Sequence, residues 1–298
     1  MVVFGALDLG GSNIRIALIN QEGEIIWKSC KLLGNMAQDR DFLLGILEEL
    51  LSSLPRKYHV QNFSFAVPCI VNPAQQSLTE ASNITTEFQS DDIQEIFSQL
   101  WPETPLYFLN DVQAATLGEM NYGYLKHFKT GIYLNLGTGI ACGLIIDGKL
   151  HAGTHYAAGE IAYCQPFSDE NHQKGQTVLE DWVSGRAIER IIVEHATGEC
   201  TSKKIQDIPH SSYIWELLQN RLSDLSLLLF NFSVLLNPEM IVVGGGMSSM
   251  GSLLGPILSK EFYKLLFPPQ LYFTSKPQVI GLMGAAFYGM SQQQNKEV

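Results

Sequence analysis

With 298 residues, 46% of them hydrophobic, the chain is long enough for two domains of ordinary size, each with its own core. A net charge of −11 and a pI near 5.1, with lysines and arginines scattered along the chain, argue against a nucleic-acid backbone as the main partner. Five cysteines (Cys30, Cys69, Cys142, Cys164 and Cys200) with no CxxC spacing argue against structural disulfides and a four-cysteine zinc site, and for a reducing cytoplasm.

The N-terminus has no basic residue ahead of an apolar run, and Asp8 interrupts that run, so a signal peptide is not expected. Phe4 to Ile19 reads as a strand, a glycine turn and a returning strand. Gly10 and Gly11 permit positive φ and close backbone approach, Ser12 and Asn13 add side-chain donors, and Arg15 adds a cation. That set suits phosphate. A plain β-hairpin explains Asp8-Leu9-Gly10-Gly11 equally well on its own.

A helix is expected over 41–51, with Pro55 beyond its end, then a strand over 62–68 and a polar loop to about Asn83. A second helix over 91–100 and a short strand over 106–109 follow. Asn110 and Asp111 then precede an alanine-rich helix reaching Glu119. Polar groups where a strand hands over to a helix lie at a sheet's carboxyl edge, where open α/β folds hold ligands. Asp111 is also a natural N-cap, a role compatible with catalysis.

Residues 131–150 repeat the layout of the opening stretch, with Asn135 in place of Asp8, Gly137-Thr138-Gly139 as the turn and Asp147-Gly148 as the second turn. One copy per half implies two similar domains whose glycine turns face a cleft that holds polyphosphate. A small-residue segment with Glu160 comes next, suggesting close backbone approach, and then a polar surface loop over 164–178. Helices are expected from about Val178, with Glu180 in the first turn, over 186–197 and over 213–236, where Asn237-Pro238 stops the last. The apolar run from Leu225 to Leu236 carries Ser226, Asn231 and Ser233 and is too short for a membrane span. A buried strand from Met240 runs into Gly244, Gly245 and Gly246; a further helical segment, a small-residue helix over 281–290 and a polar tail complete the chain.

Taken together these stretches resemble the ROK family of bacterial sugar kinases, repressors and open reading frames, over nearly the whole chain. Asp8-Leu-Gly-Gly-Ser-Asn-Ile-Arg15 is similar to its first phosphate motif, Asn110-Asp111 with Ala114-Ala115 and Gly118-Glu119 to its catalytic segment, and Leu136-Gly-Thr-Gly139 to its second phosphate motif. Ala157-Ala-Gly-Glu-Ile161 resembles the family signature, and Ile241-Val-Val-Gly-Gly-Gly246 the adenosine segment. Several ordered motifs at family-like spacing are a strong signal where each alone is weak. The resemblance implies an α/β, actin-like ATPase (ribonuclease H-like) fold made of two duplicated α/β domains with an interdomain cleft. The expected division is 1–113 plus 281–298 for a smaller N-terminal domain and 114–280 for a larger C-terminal one. Repressor members carry an N-terminal helix-turn-helix domain, and this chain starts directly at the phosphate motif, which favours the kinase branch.

The implied chemistry is phosphoryl transfer from ATP to a sugar hydroxyl. By resemblance Asp111 is the base, held against the sugar by Asn110. A carboxylate of ordinary pKa, about 3.9 for aspartate, suffices where the transition state is loose and the hydroxyl loses its proton late. Gly10, Gly11, Ser12, Asn13, Arg15, Gly137, Thr138, Gly139, Gly244, Gly245 and Gly246 would hold the nucleotide, and Asp8 would hold Mg2+ through water. Asn83, Asn110, Asp111, Glu160, Tyr163 and Glu180 would face the sugar. Glucose is the default acceptor, because Asn13 and Arg15 are glucokinase-like, and the resemblance implies a homodimer.

Two departures stand out. Many members place a histidine two residues after Gly-Glu-Ile and then a cysteine-rich zinc loop, whereas Tyr163 stands here and only Cys164 and His172 are nearby candidates. A structural zinc site needs about four ligands, so no zinc is expected. Cys69 also replaces the glycine usual after Pro68. Tyr163 motivates an alternative, a kinase of a β-glucoside or an N-acetylated amino sugar. An alternative of another class is a non-catalytic sugar-binding regulator.

Overall fold

Two glycine turns seed two sheets of one plan. The computed structural model describes residues 1–34, 39–74, 76–79, 90–167, 178–195, 205–210 and 212–294. The chain begins with β1 (Val2–Leu9), β2 (Asn13–Ile19) and β3 (Ile25–Leu32), then α1 (Arg40–Ser52), which starts on Asp39 with its carboxylate accepting from Phe42 N. There follow β4 (His59–Val67), the hairpin β5 (Ile70–Asn72) and β6 (Ser77–Thr79), α2 (Ser90–Leu100), β7 (Leu106–Asn110) and α3 (Asp111–Tyr122). The second half holds β8 (Gly131–Leu136), β9 (Ile140–Ile146), β10 (Lys149–His151), α4 (Leu179–Val183), α5 (Gly185–His195) and α6 (Tyr213–Leu236). It ends with β11 (Met240–Gly244), α7 (Gly251–Leu258), β12 (Gln270–Phe273) and α8 (Ile280–Gln294).

The sheets run β3-β2-β1-β4-β7 and β10-β9-β8-β11-β12. In each, an antiparallel three-strand meander is extended by two strands parallel to its first member. The duplication read from the sequence is therefore a duplication of topology. Strands β3 and β12 and the β5–β6 hairpin had no counterpart among the expected elements; the hairpin occupies the stretch expected to be a loop.

The chain divides into two units, 1–126 with 152–158 and 278–298, and 127–151 with 159–277. This division differs from 1–113 plus 281–298 in keeping all of α3 in the first unit. The reason is local: α3 and α8 meet backbone to backbone. A Cβ on Gly284 would lie 1.8 Å from Ala114 O, and one on Gly118 would lie 2.1 Å from Ile280 O.

The first unit's core gathers Leu7, Ile16, Leu47, Phe63, Phe65 and Phe108. The second gathers Leu134, Trp182, Ile191, Leu222, Leu225 and Val243. The apolar run of α6 is split, with Leu225, Leu228 and Leu229 buried and Val234 and Leu235 exposed. Its N-cap is Ser212, whose Oγ accepts from Trp215 N, and it ends at Asn237 in the left-handed region. Among the described residues no helix is long and apolar enough to cross a membrane.

Candidate functional site

In the first unit β1, β4 and β7 run parallel, so their ends share one edge. Asp8 pairs with Ala66 of β4, and Val67 pairs with Asn110 of β7, which places Asp8 and Asp111 at that common carboxyl edge. Asp8 is largely buried and accepts from Arg15 Nη1 at 3.1 Å across the β1–β2 pair. Burial pushes its pKa up from the ordinary carboxylate value, and the Arg15 guanidinium opposes that rise. The start of α8 comes close to it: a Cβ on Gly281 would lie 3.5 Å from Asp8 Oδ2. A carboxylate beside a glycine turn is a hard-oxygen donor of the kind magnesium takes.

The first turn is closed by its own backbone. Gly10 N donates to Asn13 O at 2.9 Å, and Leu33 N donates to Ser12 O at 2.9 Å. The positive φ that Gly10 and Gly11 permit occurs at neither. The chain reverses over four residues between Leu9 and its partner Ile14, and that wider turn needs no left-handed glycine. The Cys30 thiol lies 3.6 Å from Asn13 Oδ1.

At the β7–α3 junction the cap is Asn110, not Asp111. Asn110 has extended backbone angles, and its Oδ1 accepts from Val112 N and Gln113 N at 3.0 Å each. Its Nδ2 donates to Cys69 O at 3.1 Å, tying the helix start to the segment after β4. Asp111 occupies the first helical position and accepts from Val112 N at 2.9 Å. An acid there is favoured by the helix dipole. Burial and the Asp111 charge push the Cys69 thiol up to about 12, so this cysteine stays protonated.

In the second unit three segments converge on Gly137-Thr138-Gly139. Gly137 N donates to Gly139 O at 3.0 Å; from the start of α5, Gly185 N donates to Gly137 O at 2.8 Å and Arg186 N to Thr138 O at 3.3 Å. Only glycine fits at 185, because a Cβ would lie 2.4 Å from Gly137 O. From the other side Gly245 (φ 78°) approaches so closely that its Cβ would lie 2.5 Å from Leu136 O. A Cβ on Gly244 would collide with the Tyr133 hydroxyl, and one on Gly246 would meet open space. The amides of Thr138 and Gly139 donate to no acceptor among the described residues, so the turn presents two N–H groups.

Glu180, in the first turn of α4, accepts from Ile140 N through Oε2 at 3.1 Å, directly after that turn. Glu160 is half-buried, and burial first and the Glu180 charge second push its pKa up. The close approach expected of the small-residue segment is to β9: Gly159 (φ 94°) would put a Cβ 1.8 Å from Cys142 O, and Cys142 N donates to Gly159 O at 2.8 Å. Tyr163 follows on a short 3-10 turn and is 65% exposed.

The first unit thus brings together Asp8, Gly10, Gly11, Ser12, Asn13, Arg15, Asn110 and Asp111. The second brings together Gly137, Thr138, Gly139, Gly244, Gly245, Gly246 and Glu180, with Glu160 near Glu180. Asn83 and His172 lie outside the described residues. Among the described residues no three His, Cys, Asp or Glu side chains cluster as metal ligands. Sequence reasoning missed how Gly185 seats the second turn and Gly281 adjoins Asp8, because each is a contact between distant stretches with no local pattern.

The ROK family model matches residues 4–287. A β-glucoside kinase from Listeria monocytogenes is 24% identical over 98% of this chain and 99% of its own length. A xylose repressor from Caldicellulosiruptor bescii is 26% identical over 89% of this chain and 71% of its own. Among solved structures, a ROK family glucokinase from Streptomyces griseus in complex with glucose and AMPPNP superposes with a TM-score of 0.78 at 20% identity, covering 96% of this chain and 98% of that one. This last likeness concerns the fold, which is the actin-like ATPase fold.

Proposed function

The chain belongs to the ROK family, and from that premise we propose that it is an ATP-dependent sugar kinase that moves the γ-phosphoryl group to a hexose hydroxyl, with glucose as first acceptor. The observation that carries the reading is the carboxyl edge of the first unit's sheet, where Asp8 lies beside a glycine turn and Asp111 at the head of α3 directly follows β7. The second unit's glycine turn adds two amides, of Thr138 and Gly139, that have no acceptor among the described residues.

In this reading Asp111 orients the attacking hydroxyl and accepts its proton late, while Asn110 fixes the start of α3 and with it Asp111. The amides of the two turns, with Asn13 and Arg15, cradle the phosphates, and Gly244 to Gly246 admit the adenosine. Asn83 and Glu160 bind sugar hydroxyls, with Glu180 and Tyr163 at the same end of the substrate. Magnesium, held through Asp8, supplies charge neutralisation on the phosphates when bound. A homodimer in the cytoplasm belongs to the same reading, and light scattering checks the assembly.

The test is ATP consumption across glucose, mannose, fructose, N-acetylmannosamine and β-glucosides; turnover with none of them sinks the kinase. Asp111→Ala is expected to abolish turnover, a loss of about 10²-fold or more for a general base, with nucleotide affinity nearly intact. Retained activity would remove Asp111 from the base role. The exposure of Tyr163 favours a second reading, an acceptor with a substituent at the anomeric end, such as a β-glucoside or an N-acetylated amino sugar. Strict preference for free glucose over cellobiose argues against it. Sugar binding without nucleotide binding in calorimetry would instead mark a non-catalytic regulator.

A further inference from the structure

The stretch from Glu180 to Arg186 grips the second glycine turn at three points. Gly185 N and Arg186 N satisfy the carbonyls of Gly137 and Thr138, and Glu180 Oε2 takes Ile140 N at 3.1 Å. The first two contacts are backbone, and a change of the Glu180 side chain removes neither acceptor nor donor. The third is a side-chain hold, and it fixes the turn's outgoing end, where Ile140 is 2% exposed. A buried amide with no acceptor is costly, and a carboxylate acceptor makes the bond charge-assisted. The helix that carries Glu180 is itself anchored, because Leu179, Trp182 and Val183 of α4 are buried in the core of this unit.

Resting on the kinase reading and deepening it, we propose that Glu180 is a positioning residue for the nucleotide: through Ile140 N it aims the amides of Thr138 and Gly139 at the phosphates, instead of serving only as a sugar ligand. Its nearness to Glu160 then places one carboxylate between the sugar side and the phosphate side of the same unit.

The test is calorimetric titration of the unmodified protein and its variants with AMPPNP and magnesium, without sugar, and separately with glucose. Glu180→Ala is expected to weaken nucleotide affinity about tenfold, the scale of one charge-assisted hydrogen bond. Glu180→Gln keeps an amide oxygen for Ile140 N and is expected to stay within about threefold of the unmodified protein. If Glu180→Ala fails to fold, Glu180→Met, of similar volume but with no acceptor oxygen, takes its place against Glu180→Gln. Unchanged nucleotide affinity in the variant lacking the acceptor, or a Gln variant as weak as that one, overturns the proposal and leaves the kinase reading standing. Absence of nucleotide binding by the unmodified protein overturns both.

Discussion

Glu160 is a carboxylate whose charge is opposed from two directions, by burial and by Glu180. Its folded pKa lies above the value of 4.5 that it has as a free side chain. Between those two values the native state holds a proton that the unfolded chain has released, so stability falls as pH rises through that window. Glu160→Gln, neutral and of the same shape, is therefore expected to raise the thermal midpoint at neutral pH, with the gain vanishing below the free value, where Glu160 is protonated in both states. Scanning fluorimetry across pH checks it, and an equal gain at every pH would mean that something other than charge is relieved. The ionised form offers the better acceptor to sugar hydroxyls. The sugar KM is thus expected to climb on acidification, starting above the ordinary glutamate range. At this scale the sequence identified the acids but not their partners. Asn110 and Asp111 were both visible, yet which one caps α3 depends on backbone angles at the β7 end, and Glu180 meets Ile140 only through the folded chain.

Helices α3 and α8 pack through glycine and alanine, and their contact carries Asp111 and Gly281 on its two members. A Cβ on Gly284 would lie 1.8 Å from Ala114 O and 2.5 Å from Gly118 N, both backbone atoms that cannot turn aside. Gly284→Ala must push the helices apart and is expected to cost about 1–3 kcal/mol or more, read as a lower urea midpoint. Gly45 sits mid-helix in α1, is exposed, and has nothing within 4 Å of a would-be Cβ. Gly45→Ala should therefore add up to about 1 kcal/mol from helix propensity alone. The two substitutions are chemically identical and opposite in expected sign. If both were neutral, the tight α3–α8 packing would be refuted. The helices at 40–52, 111–122 and 213–236 were legible because apolar spacing, alanine content or a Pro stop marks them in the chain. Strands β3 and β12 were not, since each is an edge strand whose residues are only half-buried or exposed, and such strands lack the long apolar run that buried ones show.

At the scale of the molecule the two sheets share one strand order, and this was readable because the glycine turns that start each meander recur with the same flanking pattern. The charge of the whole chain carries a separate consequence. Nineteen lysines and arginines against thirty aspartates and glutamates leave −11, so the protein and a nucleotide–magnesium complex, itself an anion, repel at long range. The donors at the two glycine turns are backbone amides and Arg15, whose guanidinium is already paired with Asp8, and their attraction acts only at contact. At about 10 mM ionic strength the repulsion reaches roughly 30 Å, and at about 150 mM roughly 8 Å. Added salt should then speed nucleotide association, by about two- to threefold over that range if repulsion of order RT is screened, while leaving association of a neutral sugar unchanged. Stopped-flow binding of a fluorescent nucleotide analogue with magnesium, against the intrinsic tryptophan signal on adding glucose, separates the two. A nucleotide rate that falls with salt would show that a local basic field outweighs the net charge, and would move attention from the glycine turns to cations around them.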